Sequence, residues 1–289
     1  MLALLGLLAY VWTAEARDTA LTTDRTATNL SAFGQGLAWS RGLGDGRSQL
    51  VLRAFGAPAD VSIAPVSGLV DPDLGQDASG GSVAVYTRCS GVSGRNCDIY
   101  EYDFVRKREL KVSGASTSRC SEFAPSIWQG TIAFARRGPR GCNGLYVKGP
   151  HGAALMLDRR VPADTDIREG KVAYLYAPSA KRTEIRVFSI AQGSSQPVIT
   201  GLSSGGERTR VSNPTFGGSY VYWLFNDLRR HDFTIGRSRG RASSTLQFAD
   251  RKFSGSIDSI AVDGRTVYYT NHHGVFVAND PAPRFTARG

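Results

Sequence analysis

Apolar and polar residues alternate along most of this chain, and the alternation restarts six times after a glycine. The six copies are spaced 45, 49, 40, 48 and 46 residues apart, at Gly36, Gly81, Gly130, Gly170, Gly218 and Gly264. Alternation with a period of two is typical of half-buried β-strands, and intervals of this length indicate a repeat architecture. The pattern therefore predicts an all-β protein built from six similar units.

Each unit has room for about four short strands, which is the content of one propeller blade. Without residues 1–16, 19 residues precede Gly36 and 25 follow Gly264, and together they nearly make one further interval. We expect residues 17–289 to form a single six-bladed β-propeller domain with four-stranded antiparallel blades. An N-terminal strand near residues 20–23 completes the last blade and closes the ring, which leaves no long unpaired edge.

The stretch Pro125 to Val147, P-S-I-W-Q-G-T-I-A-F-A-R-R-G-P-R-G-C-N-G-L-Y-V, carries the most complete copy of the unit. It resembles the repeat of TolB-like β-propellers, whose usual form is P-x-W-S-P-D-G-x-x-I-A-F followed by I-Y-x-x-D. Residues 261–269 keep the D-G step and residues 98–103 keep the I-Y-x-x-D ending, whereas other copies have lost the second Pro and the Asp. The resemblance covers nearly the whole chain and implies a degenerate TolB-like propeller. It implies little about function, because the fold hosts binding proteins and enzymes alike.

The N-terminus predicts export. Residues 2–12 form an apolar run that is too short to span a bilayer, and Ala14-Glu15-Ala16 matches the A-x-A pattern of a signal-peptide cleavage site. We therefore expect a signal peptide at residues 1–16 and a secreted, periplasmic or cell-envelope protein without a membrane span after cleavage. A buried first strand and an uncleaved anchor remain as alternatives.

The four cysteines fit an exported protein that forms disulfides. Cys89 and Cys97 flank one hairpin loop, Cys142 lies in the corresponding loop of the next blade, and Cys120 lies in the connection leading into that blade. We predict the disulfides Cys89–Cys97 and Cys120–Cys142. The alternative is that these cysteines are metal ligands, but there is no C-x-x-C spacing and no nearby His.

No cofactor and no metal centre are predicted, although one acidic stretch leaves calcium open. Residues 71–77, D-P-D-L-G-Q-D, place three carboxylates within seven residues, and hard cations such as Ca²⁺ take several oxygen ligands. A solvated turn with side-chain caps explains the same residues.

A basic loop face is the main candidate for a binding site. The formal net charge is +10, and loss of Glu15 with the signal peptide makes it +11. In antiparallel blades, the loops between second and third strands lie on one face with the channel mouth, which in TolB-like propellers often carries the binding site. Those loops hold eleven Lys or Arg against three Asp. The candidate binding residues are Arg41, Arg88, Arg95, Arg136, Arg137, Arg140, Arg182, Arg229 and Arg230.

Arginine offers a planar fork of donors that suits carboxylate or phosphate groups. The expected partner is an envelope protein or an anionic cell-wall polymer, and the protein is expected to be a monomer. Export makes nucleic acid an unexpected physiological partner. The alternative is that these arginines are solvated hairpin tips.

No catalytic residue is predicted. The chain has four His and no G-x-S-x-G motif. Glu122, Asp166 and Asp258 lie near the starts of inner strands, and three carboxylates converging in the channel would suit a carbohydrate-active hydrolase or lyase. The sequence therefore favours a non-enzymatic binding module acting through a basic loop face, with that enzyme as the alternative.

Overall fold

The computed structural model of this chain describes residues 18–34, 36–54, 60–68, 70–90, 96–139, 141–202, 209–227, 229, 232–239, 247–254, 256–278 and 285–287. The predicted signal peptide, residues 1–16, lies outside these ranges. The regular secondary structure in the described ranges is β-strand, with no helix among them, as the alternation predicts. Within them, no helix is long and apolar enough to cross a bilayer.

Sheet A brings together the two ends of the repeat region. Its members are β1 (Thr19–Thr22), β23 (Ser259–Asp263), β24 (Thr266–Asn271) and β25 (Gly274–Val277). They pair in the order β1-β25-β24-β23. Strand β1 lies antiparallel to β25, with Thr19 opposite Val277, so an N-terminal strand completes a sheet whose other strands come from the last repeat unit.

Sheet B contains two consecutive repeat units. Its strands are β2 (Ala27–Phe33), β3 (Gly36–Gly42), β4 (Arg47–Ala54), β5 (Val61–Ser62), β6 (Val66–Ser67), β7 (Asp73–Gln76), β8 (Ser82–Cys89), β9 (Cys97–Asp103) and β10 (Arg108–Lys111). The groups β2–β5 and β7–β10 are each antiparallel, and short β6 joins them by pairing with both β4 and β8.

Sheets C and D each correspond to one repeat unit, and sheet E contains one unit extended by a strand from the C-terminal segment. Sheet C has β11 (Ser121–Trp128), β12 (Thr131–Arg137), β13 (Gly144–Lys148) and β14 (Leu155–Asp158); sheet D has β15 (Asp164–Arg168), β16 (Lys171–Ser179), β17 (Arg182–Ser189) and β18 (Ser194–Leu202). Sheet E has β19 (Thr209–Gly217), β20 (Tyr220–Asp227), β21 (Asp232–Ser238), β22 (Gln247–Ser254) and β26 (Phe285–Ala287). All strand pairs in these sheets are antiparallel.

Within the described residues, the hydrophobic core forms six layers, each between two consecutive repeat units. Five layers join neighbouring units from β2–β5 through to sheets E and A. The sixth packs sheet A against the first unit, where Tyr268 and Val275 meet Trp39 and Val51. Because strand residues alternate between two faces, each sheet can bury apolar side chains against the sheet before it and the sheet after it.

The first strand of each unit (β2, β7, β11, β15, β19 and β23), here called the inner strand, contacts the next inner strand. Polar side chains bridge these contacts: Ser259 Oγ accepts a hydrogen bond from Leu30 N–H at 3.0 Å, and Ser31 Oγ accepts one from Leu74 N–H at 2.9 Å. The approach is close, since a Cβ atom at Gly75 would lie 2.5 Å from Ile127 O. Inner strands therefore satisfy part of their backbone polar groups across unit boundaries.

Candidate functional site

A cavity of about 590 Å³ lies at the centre of the inner strands. It is lined by residues from all six of them or the segments leading into them, and by Thr87, Cys89, Cys97 and Leu175 from neighbouring strands. Cys89 and Cys97 stand at the hairpin loop between the second and third strands of their unit. The cavity therefore opens on the side of these loops, here called the loop face.

Bulges shape the cavity wall in three inner strands. Asn29, Ala124 and Asn213 each have a positive φ near 50°, and each lies where the register of its strand shifts. Such backbone is uncommon for residues other than glycine, and a bulge turns a strand and re-aims the side chains beyond it. These three turns lie at corresponding places around the cavity.

Four aspartates from two inner-strand regions face the cavity: Asp71, Asp73, Asp164 and Asp166. Each pair has i, i+2 spacing, which places both side chains on one side of a strand. All four are half-buried. An acidic lumen therefore lies at the centre of a protein whose net charge is positive.

Three of these carboxylates hold the strands together. Asp71 accepts hydrogen bonds from Thr87 N–H at 3.1 Å and from Ala124 N–H at 2.7 Å. Asp73 accepts them from the Ser31 hydroxyl at 2.8 Å and from Ile127 N–H at 2.7 Å.

Asp166 accepts a hydrogen bond from Phe216 N–H. Each of these three side chains thus satisfies a backbone donor on the inner strand of the following unit.

Burial raises the pKa values of the four carboxyl groups. The pKa of Asp164 rises to about 7, because burial is reinforced by the charges of Asp71 and Asp166. Burial brings the pKa of both Asp71 and Asp166 to about 6, against the lowering effect of their hydrogen bonds. Burial and the nearby charge of Asp166 also hold the pKa of Asp73 well above its usual range. The lumen therefore gains negative charge as the pH rises through neutrality.

Beyond Asp73 and Asp166, the lumen narrows to a space of about 30 Å³. Phe33 and Trp128 meet there edge to face, with ring centroids 6.1 Å apart, and the Arg168 guanidinium lies over the Trp128 ring at 4.7 Å. The cavity is therefore a recess that narrows sharply away from the loop face.

The calcium hypothesis concerned three carboxylates that the structure separates. Asp71 and Asp73 face the lumen, but Asp77 caps a tight turn by accepting hydrogen bonds from Ser79 N–H and Gly81 N–H, both at 2.8 Å. Among the described residues, no group of three or more His, Cys, Asp or Glu side chains is placed to hold a metal ion.

The three carboxylates considered for catalysis do not converge. Asp166 lines the cavity. Glu122 is fully buried within sheet C, where it pairs with Arg136 at 3.0 Å and accepts a hydrogen bond from the Thr117 hydroxyl. Asp258 is exposed as a residue. Partial burial of its carboxyl group raises its pKa, and the charge of nearby His272 opposes that rise. Neither Glu122 nor Asp258 lines the cavity.

Four of the predicted binding arginines form ion pairs. Arg41 pairs with Asp24 at 2.6 Å, Arg88 with Glu109, Arg136 with Glu122 at 3.0 Å and Arg182 with Glu184 at 2.5 Å. Arg136 is also buried and stacks over the Tyr146 ring at 4.3 Å. Its surroundings resemble those of a structural side chain and leave little surface for a partner.

Two predicted binding arginines are exposed and form no ion pair with a described residue. Arg137 ends β12, and its guanidinium lies 5.2 Å from the ring of Phe123, which lines the cavity. Arg229 is exposed in the loop after β20. Arg95, Arg140 and Arg230 lie outside the described residues.

Two disulfides stabilise this region. Cys89 is bonded to Cys97, and Cys120 to Cys142, which is the pairing predicted from the loop positions. Disulfides persist in oxidising compartments, so both bonds fit a protein that leaves the cytoplasm.

The sequence matches no protein-family model and no curated protein. Its fold is that of solved propeller proteins, TolB among them. A putative TolB from Agrobacterium tumefaciens superposes with a TM-score of 0.57 at 12% identity, over 79% of this chain and 83% of that one. The SapL1 lectin, solved with alpha methyl fucoside, gives 0.57 at 9% identity, over 92% of this chain and 97% of that one.

Enzymes share the fold as well. The GH74 xyloglucanase from Xanthomonas campestris superposes with a TM-score of 0.55 at 11% identity, over 92% of this chain. A puromycin-hydrolysing peptidase from Mycobacterium tuberculosis gives 0.54 at 11% identity, also over 92%. This chain spans about half the length of both, 47% and 53% respectively. Since the fold serves binding and catalysis alike, function has to be argued from the site.

Proposed function

We propose that this chain is an exported, six-bladed β-propeller that binds a partner on its loop face and has no catalytic activity. The cyclic order of the six core layers and the pairing of β1 with β25 support six blades and ring closure. Both disulfides and the N-terminal A-x-A pattern support export.

One observation carries the binding function: the lumen carboxylates serve as structural acceptors. Asp71, Asp73 and Asp166 each accept a backbone N–H from a neighbouring inner strand. A glycosidase needs one carboxyl group that donates a proton and another that attacks or activates water. Carboxylates already engaged with the backbone suit a rigid recess better than that chemistry.

The loop face supplies the charge that an acidic partner needs. Exposed Arg137 and Arg229 extend from it, and guanidinium groups bind carboxylate or phosphate in a fork geometry. The partner that this charge favours is an acidic envelope protein or an anionic cell-wall polymer. Repulsion from the four lumen aspartates keeps such a partner on the rim.

A pull-down from envelope extract at low and high salt tests this function. The bait is the mature protein, beside a variant with Arg137→Glu and Arg229→Glu. Arg136 stays unchanged because it is buried against Glu122. A matched control carries Lys107→Glu and Arg265→Glu, which make the same charge change at exposed turns on the opposite face.

Salt-sensitive capture that the loop-face variant loses and the control keeps is expected, because exposed charges are screened by salt. Equal capture by both variants, or no capture by the unmodified protein, would exclude the loop face as the binding surface.

A hydrolase acting on carbohydrates is the second candidate function, and the raised pKa of Asp164 is the observation that favours it. Its pKa of about 7 would let it donate a proton at neutral pH. Turnover of any member of a glycan panel, lost in Asp164→Asn with folding intact, would establish this candidate. The binding function predicts no turnover by the unmodified protein.

A further inference from the structure

A broad groove runs between sheets C and D, from the loop-face end of β12 to the turn between β17 and β18. Its volume is about 950 Å³. Polar and basic side chains form much of its wall, including Arg137, Asn143, Arg159, Arg160, Tyr176 and Ser195. The groove begins at the end of β12 and extends outward to the segment that follows β14.

The charge of the groove is strongly positive. Among the described residues, three arginines line it against one carboxylate, Asp158. That carboxylate is already used, since it accepts hydrogen bonds from Arg160 at 2.7 Å and from the Tyr174 hydroxyl at 2.8 Å. Burial tends to raise the pKa of Asp158, but these bonds lower it below its usual value, so Asp158 stays ionised and balances Arg160.

Arg137 and Arg159 remain as the cations that can meet a ligand. Both are exposed, and neither forms a salt bridge with a carboxylate of a described residue. Arg137 ends β12 and Arg159 follows β14, and the single strand β13 separates these two strands. Adjacent strands lie about 4.7–4.9 Å apart, so the two backbone positions are roughly 9–10 Å apart. An extended polymer with repeated acidic groups can place a separate acidic group on each guanidinium group at this spacing.

The rest of the groove suits a sugar chain. The half-buried Tyr176 ring stands beside Arg160, whose guanidinium lies 5.8 Å from the ring centroid. The Ser195 hydroxyl is already bonded to Arg186, Tyr174 and Arg160. The Asn143 amide oxygen accepts a hydrogen bond from Gly138 N–H at 3.0 Å, and its NH₂ group can donate to a sugar hydroxyl. Protein partners usually insert large apolar anchors into pockets, and this open, arginine-lined groove is better matched to a hydrated polymer.

We propose that the groove between sheets C and D binds a segment of acidic polysaccharide, with carboxylate groups of the sugar chain on Arg137 and Arg159. This inference rests on the proposed binding function and names the ligand class and the part of the loop face that takes it. The acidic lumen beside the groove directs the anionic chain outward over sheets C and D, because like charges repel.

The test measures affinity for a defined probe, a short galacturonic-acid oligosaccharide with a fluorescent label, by anisotropy at low salt. Arg137→Ala and Arg159→Ala are each expected to weaken binding about tenfold, the effect of losing one charge-assisted contact. Lys107→Ala and Arg265→Ala, at exposed turns on the opposite face, are matched controls that should bind as the unmodified protein does. Urea unfolding of each variant checks that folding is unchanged.

Three further probes identify the ligand chemistry. The methyl-esterified oligosaccharide should bind much more weakly, since it lacks the charge. Inorganic phosphate should compete only at much higher concentration than the oligosaccharide, because a single anion lacks the repeated contacts of the sugar chain. Polyglutamate of similar length should bind more weakly than the oligosaccharide, and equal binding would overturn the assignment to carbohydrate.

Other results separate this inference from the proposed function. Unchanged affinity in Arg159→Ala, or an equal loss in Lys107→Ala, would overturn the groove as the site. If the oligosaccharide does not bind but salt-sensitive capture from envelope extract persists, the inference fails and the binding function stands. If both experiments are negative, both fail.

Discussion

The lumen and the groove between sheets C and D lie side by side on the loop face and use their charges in opposite ways. In the lumen, Asp71 and Asp73 are bonded to backbone donors of neighbouring strands. In the groove, Arg137 and Arg159 are exposed, and neither forms an ion pair with a described residue. A charged side chain that is already satisfied holds a fold together, whereas one still able to form a bond is available to a ligand. Position on the loop face alone does not distinguish these two roles.

The largest expected effect concerns two adjacent arginines. Arg136→Met should destabilise the protein by about 3–5 kcal/mol, because it leaves the charge of buried Glu122 without its partner. Arg137→Met should cost at most about 1 kcal/mol, since its contact with Phe123 is an exposed cation–π interaction. Urea unfolding measures both. Similar losses in the two variants would mean that Arg137 is also structural.

The next effect concerns the acceptors of the lumen. Asp71→Ala removes the acceptor of Thr87 N–H and Ala124 N–H, and an unsatisfied buried donor costs about 1–3 kcal/mol. Asp71→Asn keeps one acceptor oxygen and should lose less. Chemical denaturation of Asp71→Ala and Asp71→Asn measures the difference in their stability. An increase in stability in Asp71→Ala would indicate a carboxylate retained for a ligand and not for the fold.

A smaller effect is the pH dependence due to Asp164. Its pKa rises from the ordinary value of 3.8, which applies to the unfolded chain, to about 7 in the folded protein. The folded state therefore binds more protons between these two pH values. The stability from this group is complete below about pH 4 and is lost as the pH rises towards 7.

Asp164→Asn should therefore raise the melting temperature at pH 7 by a few degrees, since about 1 kcal/mol corresponds to roughly 2–4 °C in a domain of 150–250 residues. It should also flatten the fall in stability between pH 4 and 7, as thermal scans across that range would record. The same slope in Asp164→Asn as in the unmodified protein would contradict the buried position of this carboxyl group. Carboxyl groups with lowered pKa values, such as Asp24 and Asp158, lose their contribution below about pH 4 and do not enter this window.

Much of the fold could be predicted because its signals are local and repeated. The glycines before Leu37, Thr131 and Lys171 mark turns or strand starts that recur in each unit. The cysteine pairs followed from loop positions that correspond between neighbouring units. The N-terminal strand followed from counting residues at the two ends, because an unpaired edge is unfavourable.

The site was harder to predict because it depends on strand register. Plain alternation puts Glu122 on the same side of β11 as Ser126. The bulge between Phe123 and Ser126 adds one residue and reverses the side, so Glu122 turns into sheet C and meets Arg136.

The convergence of the two Asp pairs was missed for a related reason. The D-P-D and D-T-D stretches at 71–73 and 164–166 are visible in the sequence. Their common location depends on inner strands of units that are not neighbours meeting around one cavity. The identical i, i+2 spacing at the start of two inner strands was the signal that could have identified them.

The most direct test of the division between lumen and groove is hydrogen–deuterium exchange of the mature protein with and without the galacturonic-acid oligosaccharide. Slower exchange on binding is expected at residues 136–139 and 157–161, with the inner-strand segments at 71–73 and 164–166 unchanged. Slower exchange confined to those inner-strand segments would place the ligand in the lumen and contradict the structural role assigned to its carboxylates.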